Sequence, residues 1–598
     1  MMKAINLLHN YRKGVATLTL GVAALLFWGL CYPAHLTFQE QFQLFLWDAD
    51  YWWSIWRTPG GVADYLAEFL TQWFLFSWMG AVVMALLLMT IQRLIWALAQ
   101  EMGATDRDYG WTFLPVLLLG GYLLDESVML AYVVALIMAL LAALSYVNTE
   151  GKWHRTAFVV LLTPPLYWMI GPAHFLFAGW LVVYEMVRNV RRRDLWSGIG
   201  IAWGVGVLAV SVPMLAVLFA HYPAYRLLCG VDYYRYPEVV PWMQLAFWPL
   251  IALWPHLMGW LARWQPKKRA LNLLRMTECL LLLAALGWSA TRMDMEKEEV
   301  MQYDYLVRNR QWRRVIAMAD EKRPTSPLSV TCLNLALAKS GQMPERMFTY
   351  YQNGLEGLLP TFVRDYFTPL PLGEVFYHIG MVNSAQRIAF ETMEAIPNYK
   401  KSARAVKRLA ETNLINGQYE VAAKYLRMLK KTLFYDRWAE QAEEAMGDEA
   451  KINAHAEWGW LRQVRYTDDY LFSEDELADM FGLLFTHNPK NRLAYEYLMA
   501  YVMEQRDVDR FMRYYPLGSK VGYKAIPRHY QELLALVWTQ QHGTFEGMPW
   551  SLSPLVMQEM SDFARLHMAK TPEAKATLQT KYGATYWYYL MYPETLSN

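Results

Sequence analysis

Two aspartates stand among tryptophans in a segment that the sequence places just outside a membrane. Residues 46–53 read Leu-Trp-Asp-Ala-Asp-Tyr-Trp-Trp, so Asp48 and Asp50 lie beside rings that favour the membrane–water interface. A carboxylate held there can act as a general base and take a proton from an attacking hydroxyl. The alternative is an amphipathic helix on the membrane surface, with tryptophans in lipid and aspartates in water. We expect Asp64 on the polar side of the helix that follows.

A second acidic pair, Asp125 and Glu126, stands at the tip of a predicted hairpin between two apolar runs. Adjacent carboxylates at such a place can serve as a second acid site or hold a divalent metal. The alternative is that they only end the apolar run and face water.

A third group lies in a tyrosine-rich segment and consists of His221, Arg226 and Arg235. The planar guanidinium of arginine suits bidentate contact with phosphate, so these residues are candidates for binding a donor phosphate. Ordinary anchoring of Tyr and Arg at the membrane interface is the alternative.

These groups are carried by a membrane domain over residues 1–291, with a long first outer loop at 34–72. A spanning helix needs about 20 mostly apolar residues. We predict nine such spans, at 14–33, 73–95, 110–124, 127–147, 156–171, 173–188, 197–220, 242–262 and 272–291. The segment 156–188 can also form one re-entrant hairpin, because prolines and glycines interrupt it.

Basic residues alternate between the loops and thereby predict the orientation. The basic side includes Lys3, Arg12, Lys13, Arg93, Arg107, Lys152, Arg155, Arg188, Arg191, Arg192, Arg193, Arg263, Lys267, Lys268 and Arg269. The excess of positive charge indicates a cytoplasmic N-terminus, and nine spans then place the C-terminal half outside. The expected location is a bacterial inner membrane, with the C-terminal domain in the periplasm.

Composition excludes some classes of function. The net charge of +2 and the lack of long basic runs argue against nucleic acid as a partner. The four cysteines show no zinc-binding spacing.

Residues 292–598 contain no run long enough to span a bilayer and read as pairs of amphipathic helices. Segments 303–319, 410–426 and 500–511 each carry a helix, a tight polar turn and a second helix. This pattern resembles the tetratricopeptide repeat, in degenerate form. The predicted fold class is therefore all-α: a polytopic membrane domain followed by a periplasmic α-solenoid of repeats that resemble the tetratricopeptide type.

The layout resembles the GT-C superfamily of membrane glycosyltransferases, and in particular its members that carry tetratricopeptide repeats. The resemblance implies a sugar donor on polyprenyl phosphate, Asp48 or Asp50 as the catalytic base, and an acceptor polypeptide or glycan at the solenoid. The first acid of that superfamily usually lies closer behind the first span than Asp48 does. A non-catalytic membrane scaffold that docks an envelope partner is the alternative, and a transporter is a weaker one.

Overall fold

The chain folds into helices throughout the part that the structure describes. A computed structural model describes residues 2–191, 193–264, 266–365, 367–398, 400–468, 473 and 476–592, without the side chains of residues 2–10. The basic residue Arg192 lies outside these ranges, and so does the side chain of Lys3. No strand occurs among these residues, so the prediction of an all-α protein is confirmed.

The chain divides into two compact units. The first unit comprises Met1–Met295, Ile396–Ala403 and Lys430–Asp436. The second unit comprises Glu296–Ala395, Arg404–Leu429 and Arg437–Asn598. The first unit therefore includes two short segments that come from far along the chain.

The helices of the first unit reproduce the order of the apolar runs. They are α1 (Met2–Leu26), α2 (Pro33–Glu40), α3 (Ala49–Trp56), α4 (Gly61–Thr71), α5 (Ser77–Glu101), α6 (Phe113–Tyr122), α7 (Leu130–Val147), α8 (Lys152–Ile170), α9 (His174–Arg191), α10 (Leu195–Ala216), α11 (Ala224–Cys229), α12 (Trp242–Leu261) and α13 (Lys268–Thr291). Each of the nine segments predicted to span coincides with one of these helices.

Six helical segments of the described chain are long and apolar enough to cross a membrane, which makes this a membrane protein. They are Tyr11–Cys31, Ser77–Glu101, Leu130–Val147, Lys152–Arg191, Leu195–Ala216 and Lys268–Thr291. The ten residues of α6 rise only about 15 Å, half the thickness of the hydrocarbon core. The count of nine spans therefore stays a prediction.

Burial differs sharply between α7 and α13, although both helices are apolar. Helix α7 is buried around most of its circumference, as expected for a helix that is hydrophobic on every side. In α13 the side chains of Leu273, Leu280 and Leu283 are all exposed. Such a face is stable in lipid, so α7 forms the core of the unit and α13 lies at its edge.

The helices of the second unit are shorter. They are α14 (Met295–Arg308), α15 (Trp312–Glu321), α16 (Pro327–Lys339), α17 (Met343–Arg346), α18 (Leu355–Leu358), α19 (Pro369–Ile379), α20 (Val382–Ala395), α21 (Ala403–Asn416), α22 (Tyr419–Leu429), α23 (Asp436–Glu444), α24 (Glu449–Ala454), α25 (Trp458–Val464), α26 (Leu477–His487), α27 (Arg492–Glu504), α28 (Val508–Tyr514), α29 (Arg528–His542), α30 (Pro554–Ala569), α31 (Pro572–Tyr582) and α32 (Tyr586–Met591).

The three predicted helix pairs are present as α14–α15, α21–α22 and α27–α28. Between α21 and α22, Gly417 has a φ of +75°, the left-handed conformation that ends many helices. Gln418 then donates its backbone N–H to the carbonyl of Asn413 at 2.8 Å. The local prediction of helix, turn and helix is confirmed, whereas a stacked solenoid stays a prediction.

Candidate functional site

The segment predicted to be the first outer loop contains three short helices, and the two predicted catalytic aspartates lie at the start of α3. Asp48 precedes the first residue of α3, and its Oδ2 lies 2.9 Å from Nζ of Lys431, within the same unit. Asp50 is exposed in the first turn. Trp47 and Trp53 are 69% and 57% exposed, as expected of a helix on the membrane surface. Asp48 is thus an ion-pair partner, and Asp50 stays accessible.

The buried acids of this loop are Asp64 and Glu68 on α4. They are four residues apart, so they share one face of the helix. They are only 2% and 0% exposed. Asp64 thus shares the polar side of α4 with Glu68, and that side is buried instead of facing water.

Lys400 neutralises part of this buried charge. Its ammonium donates hydrogen bonds to Oδ2 of Asp64 and to Oε1 of Glu68, the latter at 2.7 Å. The hydroxyl of Tyr51 contacts the other oxygen of Glu68. We call Asp64, Glu68 and Lys400 the acid–lysine cluster.

The acid–lysine cluster contains two carboxyl groups and one ammonium group. Burial raises the pKa of Asp64 well above its ordinary value and also raises that of Glu68, while Lys400 opposes both shifts. Burial disfavours the ammonium of Lys400, but the two acids outweigh this effect and raise its pKa well above the usual range. The nearby carboxylate of Asp232 adds negative charge. The charge of Lys400 and the charge of the two acids therefore depend on each other.

The tyrosine-rich segment predicted to be the fourth outer loop reaches the same region. Oδ1 of Asp232 accepts a hydrogen bond from Nδ2 of Asn398 at 2.8 Å. Arg226, which is buried, donates to Oδ1 of Asn398 at 2.9 Å and to the carbonyl of Val231 at 2.5 Å. Two of the predicted phosphate-binding residues thus differ in environment: Arg226 holds loops together, whereas His221 is exposed.

Arg235, the third predicted phosphate-binding residue, is 4% exposed, and its guanidinium lies 4.6 Å from the ring centre of Phe42. Its backbone N–H donates to the carbonyl of Ser127 in the second outer loop at 2.7 Å. In that loop the carboxylate of Asp125 accepts from the Ser127 N–H at 2.9 Å and from the Tyr234 hydroxyl at 3.1 Å. The second and fourth loops are therefore joined.

The predicted metal site does not fit this geometry. Asp125 orients its own turn, and its neighbour Glu126 is half-buried. No group of three or more His, Cys, Asp or Glu side chains in the described ranges is placed to hold a metal ion.

A small cavity lies where the three loops meet. Its polar lining comes from Asp232, Tyr234, Arg235, Asn398 and Lys400. Its volume is about 10 Å³, close to the least that holds one water. The cavity brings together one acidic side chain, Asp232, and two cations, Arg235 and Lys400.

A comparison with known protein families identifies one family that matches most of the chain. Residues 9–593 match DUF6057, a family of unknown function. The chain belongs to DUF6057. No match was found among curated proteins or among solved structures. Membership in DUF6057 assigns no chemistry, so the function has to be argued from the loops just described.

Sequence reasoning missed several residues of this DUF6057 chain. Asp64 and Glu68 had a usable signal in their spacing, because residues four apart lie on the same face of a helix. Glu40 ends the short helix behind the first span and is 1% exposed. It accepts a hydrogen bond from the hydroxyl of Tyr435 at 2.9 Å.

Proposed function

We propose that the chain is a membrane glycosyltransferase that moves a sugar from a polyprenyl-phosphate donor to an acceptor outside the cytoplasm. The observation that carries the proposal is the meeting of three outer loops around one cavity lined by Asp232, Arg235 and Lys400. A transfer reaction needs a base for the acceptor hydroxyl and positive charge for the departing phosphate.

Asp232 is the best candidate for the base. It is half-buried, it lines the cavity, and Asn398 orients its carboxylate. Arg235 and Lys400 line the same cavity and would stabilise the negative charge that develops on the phosphate. We therefore propose Asp232 of the fourth loop as the base in place of Asp48, which is paired with Lys431.

An apolar groove along α9 and α10 supports a lipid-linked donor. It has a volume of about 680 Å³ and is lined by Met186, Trp203, Gly206 and Val210, among others. Glycine lets a hydrocarbon chain approach the helix backbone closely. A polyprenyl tail fits such a surface, whereas a polar ligand does not.

A sugar is far larger than the present cavity, so transfer requires the cavity to widen. Segment 396–403 supplies Asn398 and Lys400 to its wall. We infer that this segment moves when the substrates bind.

Replacement of Asp232 by asparagine should reduce glycan transfer by at least ~100-fold, the lower range for loss of a general base. The amide can still accept the hydrogen bond from Asn398, so the protein should stay folded and inserted. The measurement is mass spectrometry of envelope glycans in a deletion strain complemented with each variant.

The matched control is Asp50→Asn, which changes an exposed carboxylate and should leave transfer within a few-fold of the parent. An equal loss of glycan transfer in the two variants would contradict Asp232 as the base and favour an acid of the first loop. If deletion leaves every glycan unchanged while a partner protein is lost from the membrane, the scaffold alternative replaces the enzyme.

The orientation in a bacterial inner membrane belongs to the same proposal. Alkaline phosphatase fused after Thr291 should be active and therefore periplasmic, whereas a fusion at Arg191 should be inactive, because the basic loops alternate. A cytoplasmic signal from the fusion after Thr291 would mean an even number of spans. It would contradict transfer to an acceptor outside the cytoplasm.

A further inference from the structure

The second unit contains a basic groove at the turn between α14 and α15. One part of it is a cavity of about 460 Å³, and an adjoining depression of about 720 Å³ shares Arg310, Trp312 and Lys339 with it. The cations that line the two parts are Arg310, Arg313, Arg314, Lys339, Lys490 and Arg492. The acidic residue among the lining is Glu457. In a chain with a net charge of +2, this is a strong local excess of positive charge.

Some of these cations have partners. Nε of Arg310 lies 3.1 Å from Oε1 of Glu457, and Arg492 donates to the carbonyl of Gly341 at 3.0 Å and contacts Glu496. These contacts hold the wall of the groove. They leave most of the positive charge uncompensated.

Lys339 differs from the others. Its ammonium lies 5.3 Å from the ring centre of Trp460 and 6.0 Å from that of Trp312. Within the described part of the chain it makes no ion pair. Burial lowers the pKa of Lys339, and this effect outweighs the opposing influence of the Glu457 carboxylate. An anion entering the groove would therefore gain a strong charge-assisted contact.

We infer that this groove binds an acidic saccharide, a sugar that carries carboxylate or phosphate groups. The cations recognise the acidic groups, and an anion draws the ammonium of Lys339 away from the indole rings. Trp312 and Trp460 then offer flat faces to the C–H groups of a sugar ring. An acidic peptide would engage the cations but leave these faces uncovered. The inference rests on the groove alone and does not depend on the proposed transfer reaction.

The test uses the purified full-length protein in nanodiscs, with binding followed by tryptophan fluorescence. Trigalacturonate and glucose 6-phosphate, which separate the carboxylate and phosphate sources, are compared with neutral maltotriose, inorganic phosphate and a hexaglutamate peptide. We expect at least one acidic sugar to bind with a Kd of about 1 mM or tighter, about −4 kcal/mol. Maltotriose and inorganic phosphate should bind at least tenfold more weakly.

Lys339→Met should weaken binding of the acidic sugar at least tenfold. The matched control is Lys407→Met, because Lys407 also lies over a tryptophan, 4.7 Å from the ring centre of Trp438, but does not line the groove. Should Lys339→Met fail to fold, the double variant Arg313→Ala and Arg314→Ala changes only exposed side chains and should weaken binding at least threefold.

Three results would overturn the inference. They are equal binding of maltotriose, binding of hexaglutamate without either acidic sugar, and unchanged affinity in folded groove variants.

Discussion

Replacement of Lys400 by methionine should destabilise the membrane unit by about 3–5 kcal/mol, the usual effect of breaking a buried ion pair. Methionine keeps the length of the side chain but removes the charge that faces Asp64 and Glu68. Two buried carboxyl groups then remain without their cation. Thermal unfolding in nanodiscs, with hydrogen exchange of α4 as a local readout, measures the effect.

The matched control is Lys431→Met. Lys431 also comes from a distant segment of the same unit, but its pair with Asp48 is 47% and 26% exposed. An exposed pair contributes about 0–1 kcal/mol, so this variant should behave almost like the parent. Comparable losses in the two variants would contradict the distinction between the buried and the exposed pair.

The pH dependence of the Lys400→Met variant has a definite sign. Burial raises the pKa values of Asp64 and Glu68 in the folded protein, so the folded state binds protons more tightly than the unfolded state. Their protonation stabilises the fold at low pH, and this contribution is lost as the pH rises from about 4 through the raised folded values. The variant should therefore recover stability on acidification. Adding Asp64→Asn and Glu68→Gln should remove this recovery and restore stability at neutral pH.

Replacement of Glu374 by glutamine should destabilise the second unit by a similar amount, about 3–5 kcal/mol. The carboxylate of Glu374 lies 3.0 Å from Nη2 of Arg404 and 2.8 Å from Nη2 of Arg408. Both arginines are buried, and the amide cannot balance their charge. Asp304 and Glu411 still pair with one arginine each, which limits the loss.

Here the pH dependence has the opposite sign. Burial alone would raise the pKa of Glu374, but Arg408 and Arg404 outweigh it and hold the pKa well below its ordinary value. The stabilisation is present above the unfolded pKa of about 4.3 and is lost as the pH falls through the folded value. The parent should thus lose stability in acid, and Glu374→Gln should lack that part of the loss.

Hydrogen exchange of α19 and α21 measures this effect locally. Glu449→Gln is the control, because Glu449 is 62% exposed in its pair with Arg462 and its replacement should leave stability almost unchanged. If Glu374→Gln loses as much stability at low pH as the parent does, other carboxylates cause the acid sensitivity.

Local features of the fold were accessible from the sequence. An apolar run in a membrane must satisfy its backbone hydrogen bonds internally, so each predicted span became a helix. The turn at Gly417 was equally readable, because a residue with positive φ commonly ends a helix there. The last helix that is long and apolar enough to cross a membrane ends at Thr291 in the described chain, where the sequence pattern also changes.

The candidate site could be predicted from the sequence only in part. The acids and arginines of the sequence pointed to the predicted first, second and fourth outer loops as the site. Residues of these three loops line one cavity in the structure. The particular residues differ: Asp48 pairs with an exposed lysine, while Asp64 and Glu68 are buried. A sequence shows which side chains can carry charge, but burial decides which charges are costly and therefore matched.

The sequence by itself determined the all-helical class, the membrane character and the local helix pairs, because these depend on interactions between residues that are near in the chain. Only the tertiary structure decided that Ile396–Ala403 and Lys430–Asp436 belong to the membrane unit, and that Lys400 neutralises acids more than 300 residues before it. Such contacts leave no periodic signal. They are selected by the cost of leaving a buried charge without its partner, and that cost arises only once the chain is packed.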